Sequence, residues 1–238
     1  MILNFKLLNP LGFHLLKYMQ DPSIRHIIMY GGSSAGKTYS FAQMGLIFTM
    51  WEGSNLLVLR KVQATIKDTV YQDFKTAADQ LGIANRFKFT DGLKTITCLS
   101  NKARIVFKGL DDSEKIKGLS SFKRVFLDEW SEFDEGDHKQ IRLRLRGMEG
   151  QQIIYAFNPI KETHFIKRKV FDTQKWHDIP MSVTICGEEV PAELTQVKSI
   201  KMNEPRVMIH KRTGEVIEHS PDTVVIQTTY LNNFWVVG

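Results

Sequence analysis

The chain has 238 residues, 42% hydrophobic and 24% charged, enough apolar material for one large domain with a buried core. Lys and Arg total 32 against 26 Asp and Glu, and the resulting net charge of +6 permits nucleic-acid binding without establishing it. Two distant cysteines, Cys98 and Cys186, scattered histidines, an amino terminus unlike a secretion signal and no long apolar run argue against a disulfide scaffold, a zinc site, secretion and a membrane span, and predict free thiols in a cytosolic setting.

Short apolar runs alternate with helical periodicity along the chain, the pattern of an α/β protein with a largely parallel sheet flanked by helices. The first strand, Ile27 to Tyr30, runs into a glycine-rich loop, and a helix from about Lys37 to Trp51 follows. A second strand spans Leu56 to Leu59. Ile66, Val70, Phe74, Ala77 and Leu81 then recur at three- and four-residue spacing, which predicts an amphipathic helix over 62–82 ending at Gly82. Thr95 to Leu99 and Ala103 to Phe107 read as a hairpin. Further strands are expected at Arg124 to Leu127, Ile153 to Phe157 and Thr223 to Thr228. Between them, 187–220 is less regular and reads as an insertion or hairpin extension, with Val207 to Ile209 and Val216 to Glu218 flanking the basic tip Lys211-Arg212-Thr213-Gly214. That tip is either a DNA contact or a solvated turn.

Three strand ends carry chemistry. Gly31, Gly32, Ser33, Ser34, Ala35, Gly36, Lys37 and Thr38 fit G-x-x-x-x-G-K-[ST] at every fixed position, between a predicted strand and a predicted helix. Glycines let backbone N–H groups wrap phosphates, the helix N-terminus favours anions, Lys37 reaches the β- and γ-phosphates, and the Thr38 hydroxyl joins a Mg²⁺ shell. The alternative, a chance match in a flexible turn, is disfavoured by that context. Next, Val125-Phe126-Leu127-Asp128-Glu129 ends an apolar strand in two acids, with Asp128 expected to hold the metal and Glu129 to polarise the attacking water. Last, Tyr155-Ala156-Phe157-Asn158-Pro159 places Asn158 beside them as a γ-phosphate sensor, unless it is a plain Asn-Pro turn. The expected architecture is a doubly wound sheet of the additional-strand, RecA-like P-loop NTPase type, with the glycine-rich loop on the first core strand and Asp128-Glu129 on an adjacent one.

In this order the motifs resemble the large terminase subunits of tailed bacteriophages. The resemblance spans nearly the whole chain. It includes Asn9-Pro10, Leu59-Arg60-Lys61 with Thr65-Ile66 and Thr69-Val70, and Gly109-Leu110-Asp111-Asp112 with Lys115-Ile116-Lys117-Gly118. Arg142 to Gly147, Phe157-Asn158-Pro159 and Thr228-Thr229-Tyr230-Leu231-Asn232-Asn233 continue it. It implies ATP hydrolysis that drives double-stranded DNA into a procapsid, in a homo-oligomeric ring with a portal protein and a small terminase subunit, in the cytoplasm of an infected bacterium. It also assigns Asn9 to the adenine side of the nucleotide site and Asn158 to the segment coupling hydrolysis to movement. The family's carboxy-terminal nuclease is expected to be missing from this chain, which stops at Gly238 soon after the last motif. Many relatives carry an arginine inside the loop where this chain has Ser33, so a charge-stabilising finger is sought among Arg142, Arg144 and Arg146, with Arg60 and Arg124 behind them. Two other readings are a helicase-like P-loop motor and a nucleotide-gated scaffold with little turnover of its own.

Overall fold

A computed structural model describes residues 5–66, 69–110, 121–145, 148–185, 188–190, 197–209 and 212–229. After the helix α1 (Pro10–Gln20), the buried run of β1 (His26–Gly31) leads through the glycine-rich loop into α2 (Lys37–Glu52). The chain continues through β2 (Leu56–Arg60), α3 (Val70–Gln80), β3 (Phe87–Thr90), β4 (Thr95–Cys98), β5 (Arg104–Gly109), β6 (Arg124–Leu127), α4 (Glu135–Arg144) and β7 (Gln152–Phe157). Its last part is β8 (Trp176–Ile179), β9 (Val183–Ile185), β10 (Glu188–Val190), β11 (Val197–Asn203), β12 (Arg206–Ile209), β13 (Val216–His219) and β14 (Thr223–Thr228).

Ten strands form one sheet in the order β3-β4-β5-β2-β6-β7-β1-β14-β11-β8, and the run from β5 to β14 is parallel throughout. These inner strands are buried on both faces, which is why they read as continuous apolar runs. Alternate residues serve opposite faces. Ile27, Met29, Val58, Phe126, Ile154 and Ile226 pack toward α1, α2 and α3, with Phe41 of α2 stacked on Phe126 at 3.9 Å between ring centroids. Ile28, Leu57, Leu59, Val125 and Tyr155 pack on the other side with Trp130, Phe133, Ile141 of α4 and Ile166. Helices on both faces make the sheet doubly wound.

The strand carrying Asp128 and Glu129 corrects one expectation. β6 is not adjacent to β1: β7 lies between them, parallel to both. This extra strand brings Asn158, at its carboxyl end, between the loop and the acidic pair. The helix expected over 62–82 is shorter. Gln63–Ile66 is a separate 3₁₀ turn and α3 starts at Val70, although Ile66, Val70, Phe74, Ala77 and Leu81 all face the core as their spacing requires. Within 187–220, β11 joins the main sheet antiparallel to β14 and β8, whereas β12 and β13 pair as a separate two-stranded ribbon. Cys98 is a buried free thiol, and Cys186 lies outside the described residues.

Candidate nucleotide site

Parallel strands deliver their carboxyl ends to one edge of the sheet, and the three motifs meet there. Gly31 must be glycine because a Cβ would collide with Thr228 on the paired strand β14, backbone carbonyl included. Gly36, at φ 69°, is left-handed and turns the chain into α2. The loop thereby places the first backbone N–H groups of a 16-residue helix at the sheet edge, an arrangement that favours phosphate.

Lys37 is buried, and its Nζ donates to the carbonyls of Gly31 and Gly32, each at 2.9 Å, and to Asn158 Oδ1 at 3.0 Å. Burial lowers its pKa, while Glu129 and Asp128 oppose that shift. Thr38 Oγ1 donates to Asp128 Oδ1 at 2.8 Å. On the other carboxylate oxygen of Asp128, Arg60 Nε makes an ion-pair contact at 2.9 Å, and Arg60 is itself held by Thr69 Oγ1 at 3.0 Å. Asp128 is 2% exposed. Burial raises its pKa, and Arg60 and Thr38 pull it back down. Glu129 is half-buried, with a pKa raised by burial and by the charge of Asp128. Its backbone is left-handed at φ 52°, unusual for a residue with a side chain and a stored strain of order 1–2 kcal/mol.

Ser33, Ser34, Ala35, Thr38, Glu129 and Asn158 line a cavity of about 220 Å³ together with Gly36 and Lys37. Ala156 of β7, Tyr39 of α2 and Asp73 of α3 complete its wall, and none of the three was assigned to the site from the sequence. Asp73 is a half-buried acid on the mixed face of an amphipathic helix, and nothing in its spacing distinguishes it from a solvated aspartate. Burial and the neighbouring Asp128 push its carboxyl up to about 6, against the pull of Arg60.

Asn9 takes a supporting place. It is fully buried, donates from Nδ2 to Ser40 Oγ at 2.8 Å, and its backbone N–H reaches Gln43 Oε1 at 2.8 Å. The residues before α1 are thus tied to the first turns of α2, directly behind the loop. Gly32 stands in the open loop, with nothing near the position of an added Cβ.

The arginines separate. Arg60 stands behind Asp128. Arg124, itself buried, is consumed by the exposed Glu52 at 2.6 Å and by the buried Gln152 at 2.9 Å and Met19 carbonyl at 2.9 Å. Arg142 lines a different cavity, and neither it nor Arg144 lines the cavity at the glycine-rich loop. Both lie in the last turn of α4, where a spacing of two residues points side chains to different sides. Arg146 and Gly147 lie outside the described residues, as do Asp111 to Gly118, Lys211 and Tyr230 to Asn233.

A family model described as phage terminase large subunit matches residues 24–237. The large terminase subunit of Bacillus phage SPP1 is 26% identical over 156 residues, covering 61% of this chain and 37% of its own length. The chain therefore spans well under half of that relative. The large terminase of a thermophilic bacteriophage, solved in complex with ADP, superposes with a TM-score of 0.57 at 19% identity, over 70% of this chain and 42% of that one. The N-terminal domain of the DNA packaging ATPase from bacteriophage phi29 gives a TM-score of 0.53 at 12% identity, over 92% of this chain and 95% of that domain. At those identities the two structures establish the likeness of fold.

Proposed function

This chain belongs to the phage terminase large-subunit family, and from that membership we propose that it is the ATP-hydrolysing motor which drives double-stranded viral DNA into a procapsid. The observation that carries the reading is the meeting of Lys37, Thr38, Asp128, Glu129 and Asn158 on one small cavity at the carboxyl edge of a parallel sheet. The loop amides and Lys37 bind the triphosphate of ATP, and Asn9 braces the helix behind it. Glu129, with its raised pKa, accepts the proton of the attacking water as the bond from the γ-phosphorus to the bridging oxygen breaks and ADP leaves. Asn158 accepts from the loop lysine, which supports a role for it in registering whether the γ-phosphate is present.

A hydroxyl and a carboxylate oxygen 2.8 Å apart are hard donors of the kind Mg²⁺ takes, so Thr38 and Asp128 fit as its protein contacts. When bound, the ion neutralises charge on the phosphates. No arginine lines the cavity among the described residues. The reading therefore includes an arginine from a neighbouring copy, which a ring at the portal would supply, with the small terminase subunit as a further partner in the cytoplasm of the infected cell. Among the described residues no helix is long and apolar enough to cross a membrane.

ATP turnover by wild type, Lys37→Ala and Glu129→Gln, measured across a wide protein-concentration range with and without duplex DNA, tests this. Magnesium-dependent turnover in wild type alone, steepening with concentration or DNA, is the expected result. Unchanged turnover in both variants would remove the assignment.

A further inference from the structure

A second cavity is larger than the nucleotide site. It has a volume of about 530 Å³ and opens on the other side of the sheet, between α4, the turn at 167–171 and the first residues of β1 and β14. His26, in its wall, is the first residue of β1, while Gly31 of the nucleotide loop is the last. Five strand steps separate them, roughly 16 Å.

Its charge is one-sided. Arg25, Lys139, Arg142, Lys169 and Arg206 line it, against Glu135 as the acid in its wall. Arg206 is engaged by Asp222 at 3.4 Å, and Arg25 donates to the Leu145 carbonyl at 2.8 Å. Lys139, Arg142 and Lys169 are exposed and have no acidic partner among the described residues. Neutral polar groups lie deeper. Trp130 and His138 also line the cavity, and Trp130 Nε1 and His138 Nδ1 are buried without a hydrogen-bond partner, a situation that costs free energy unless a ligand or water supplies one. His26 and His138 are both held uncharged, first by burial and then by the field of Arg142, so they add no cation of their own.

We propose that this cavity is a second phosphate site, separate from the glycine-rich loop, and that it takes the phosphodiester backbone of nucleic acid. The cations come from four separate segments: the residue before β1, α4, the turn at 167–171, and β12. A single small anion needs two or three donors at one point, whereas a backbone offers charges in a row. The inference rests on the DNA-motor reading and gives it a contact surface.

The test uses a fluorescently labelled blunt duplex, without nucleotide, and reads affinity by anisotropy over a salt series. The variants are the double Lys139→Glu/Lys169→Glu and a charge-matched double elsewhere, Lys88→Glu/Arg104→Glu, on exposed positions of β3 and β5. Equal melting temperature and nucleotide binding establish that the cavity double is folded. The expected result is at least about a tenfold loss of duplex affinity for the cavity double, with a shallower salt slope, and wild-type affinity for the control. Equal binding by both doubles overturns the inference and leaves the motor reading standing. Wild type that turns over ATP but binds no duplex at low salt overturns the inference and the DNA half of the proposed function together. Titration with inorganic phosphate in a Lys37→Ala background separates the sources: saturable phosphate binding lost in the cavity double, with duplex affinity unchanged, would make this a small-anion site and overturn the nucleic-acid assignment.

Discussion

Thr38 and Asp128 stand 90 residues apart in the chain, yet the Thr38 hydroxyl donates to the Asp128 carboxylate at 2.8 Å. Two parallel strands, separated by β7, end at the same edge of the sheet and set this contact. It defines the corner of the site proposed to face the metal. Asp128→Asn keeps the shape but removes the charge, and leaves Arg60 without its anion. Turnover should fall on the order of 100-fold or more, a loss of several kcal/mol in the transition state. Binding of ADP in the absence of magnesium should survive. Steady-state turnover together with a fluorescent-nucleotide titration measures both, and loss of metal-free ADP binding would show that Asp128 supports the loop rather than the metal.

Glu129→Gln should lower turnover by about 100- to 10,000-fold, the range a general base supplies, with nucleotide affinity within a few-fold of wild type. Burial and the charge of Asp128 raise the Glu129 carboxyl, so the acid limb of the wild-type turnover profile is expected to shift upward from that of an ordinary glutamate. A variant that binds ATP tightly and still hydrolyses it at the wild-type rate would leave the water to another base.

The two glycines that open the loop should differ in kind. At Gly31 a methyl group meets the backbone of Thr228, which its own ladder holds in place; at Gly32 it meets nothing. Gly31→Ala is therefore expected to cost about 1–3 kcal/mol, the usual range for overpacking, and Gly32→Ala almost nothing. For a chain of this size that is a drop of about 2–4 °C in melting temperature per kcal/mol for Gly31→Ala alone. Equal melting temperatures would mean that β14 yields locally.

The loop, the Asp-Glu pair and Asn158 were legible in the sequence because each sits at the end of an apolar run, and burial on both faces makes such runs conspicuous. Strand order was not. Nothing local to Val125–Glu129 records that Ile153–Phe157 slots between it and β1, since that pairing is fixed by packing across the whole sheet. α4 escaped notice because Ile141 is its buried residue; its Asp134–Asp137 capping box and the Lys61 ion pairs to both acids hold it instead. Asp73 escaped for the opposite reason. Its helix was found, but the carboxylate it turns toward belongs to a strand 55 residues on, the difference between positions 73 and 128.

Asp73 offers a pH test. Its folded pKa of about 6 lies above its ordinary 3.8, so the folded chain keeps a proton that the unfolded chain has released. Stability therefore falls as pH rises through this window, and the penalty is complete above about pH 6. Asp73→Asn removes it. With solvent on the open side of Asp73 trimming the penalty, the gain at pH 8 should be about 1 kcal/mol, or roughly 2–4 °C in melting temperature. Near pH 4 it should vanish. A gain of the same size at both pH values would assign the effect to something other than the carboxylate charge.

Arg60 and Arg124 are both buried arginines at the ends of core strands, and the structure gives them different work. Arg124 joins Glu52, Gln152 and the Met19 carbonyl and lies over the Phe48 ring at 4.4 Å, far from the loop edge of the sheet. Arg124→Met leaves Gln152 Oε1 and the Met19 carbonyl without their donor in the interior, while the exposed Glu52 turns to solvent, and should cost about 2–3 kcal/mol of stability, while turnover per folded molecule stays at the wild-type level. Arg60 instead stands behind Asp128 and favours its charged form. Arg60→Met should lower turnover by about 10- to 100-fold, as loss of a group supporting a metal contact does, and should move the acid limb of the pH profile upward. The second effect separates positioning from simple destabilisation, because a variant that is merely less stable loses turnover without shifting the pH at which the remaining turnover is half-maximal.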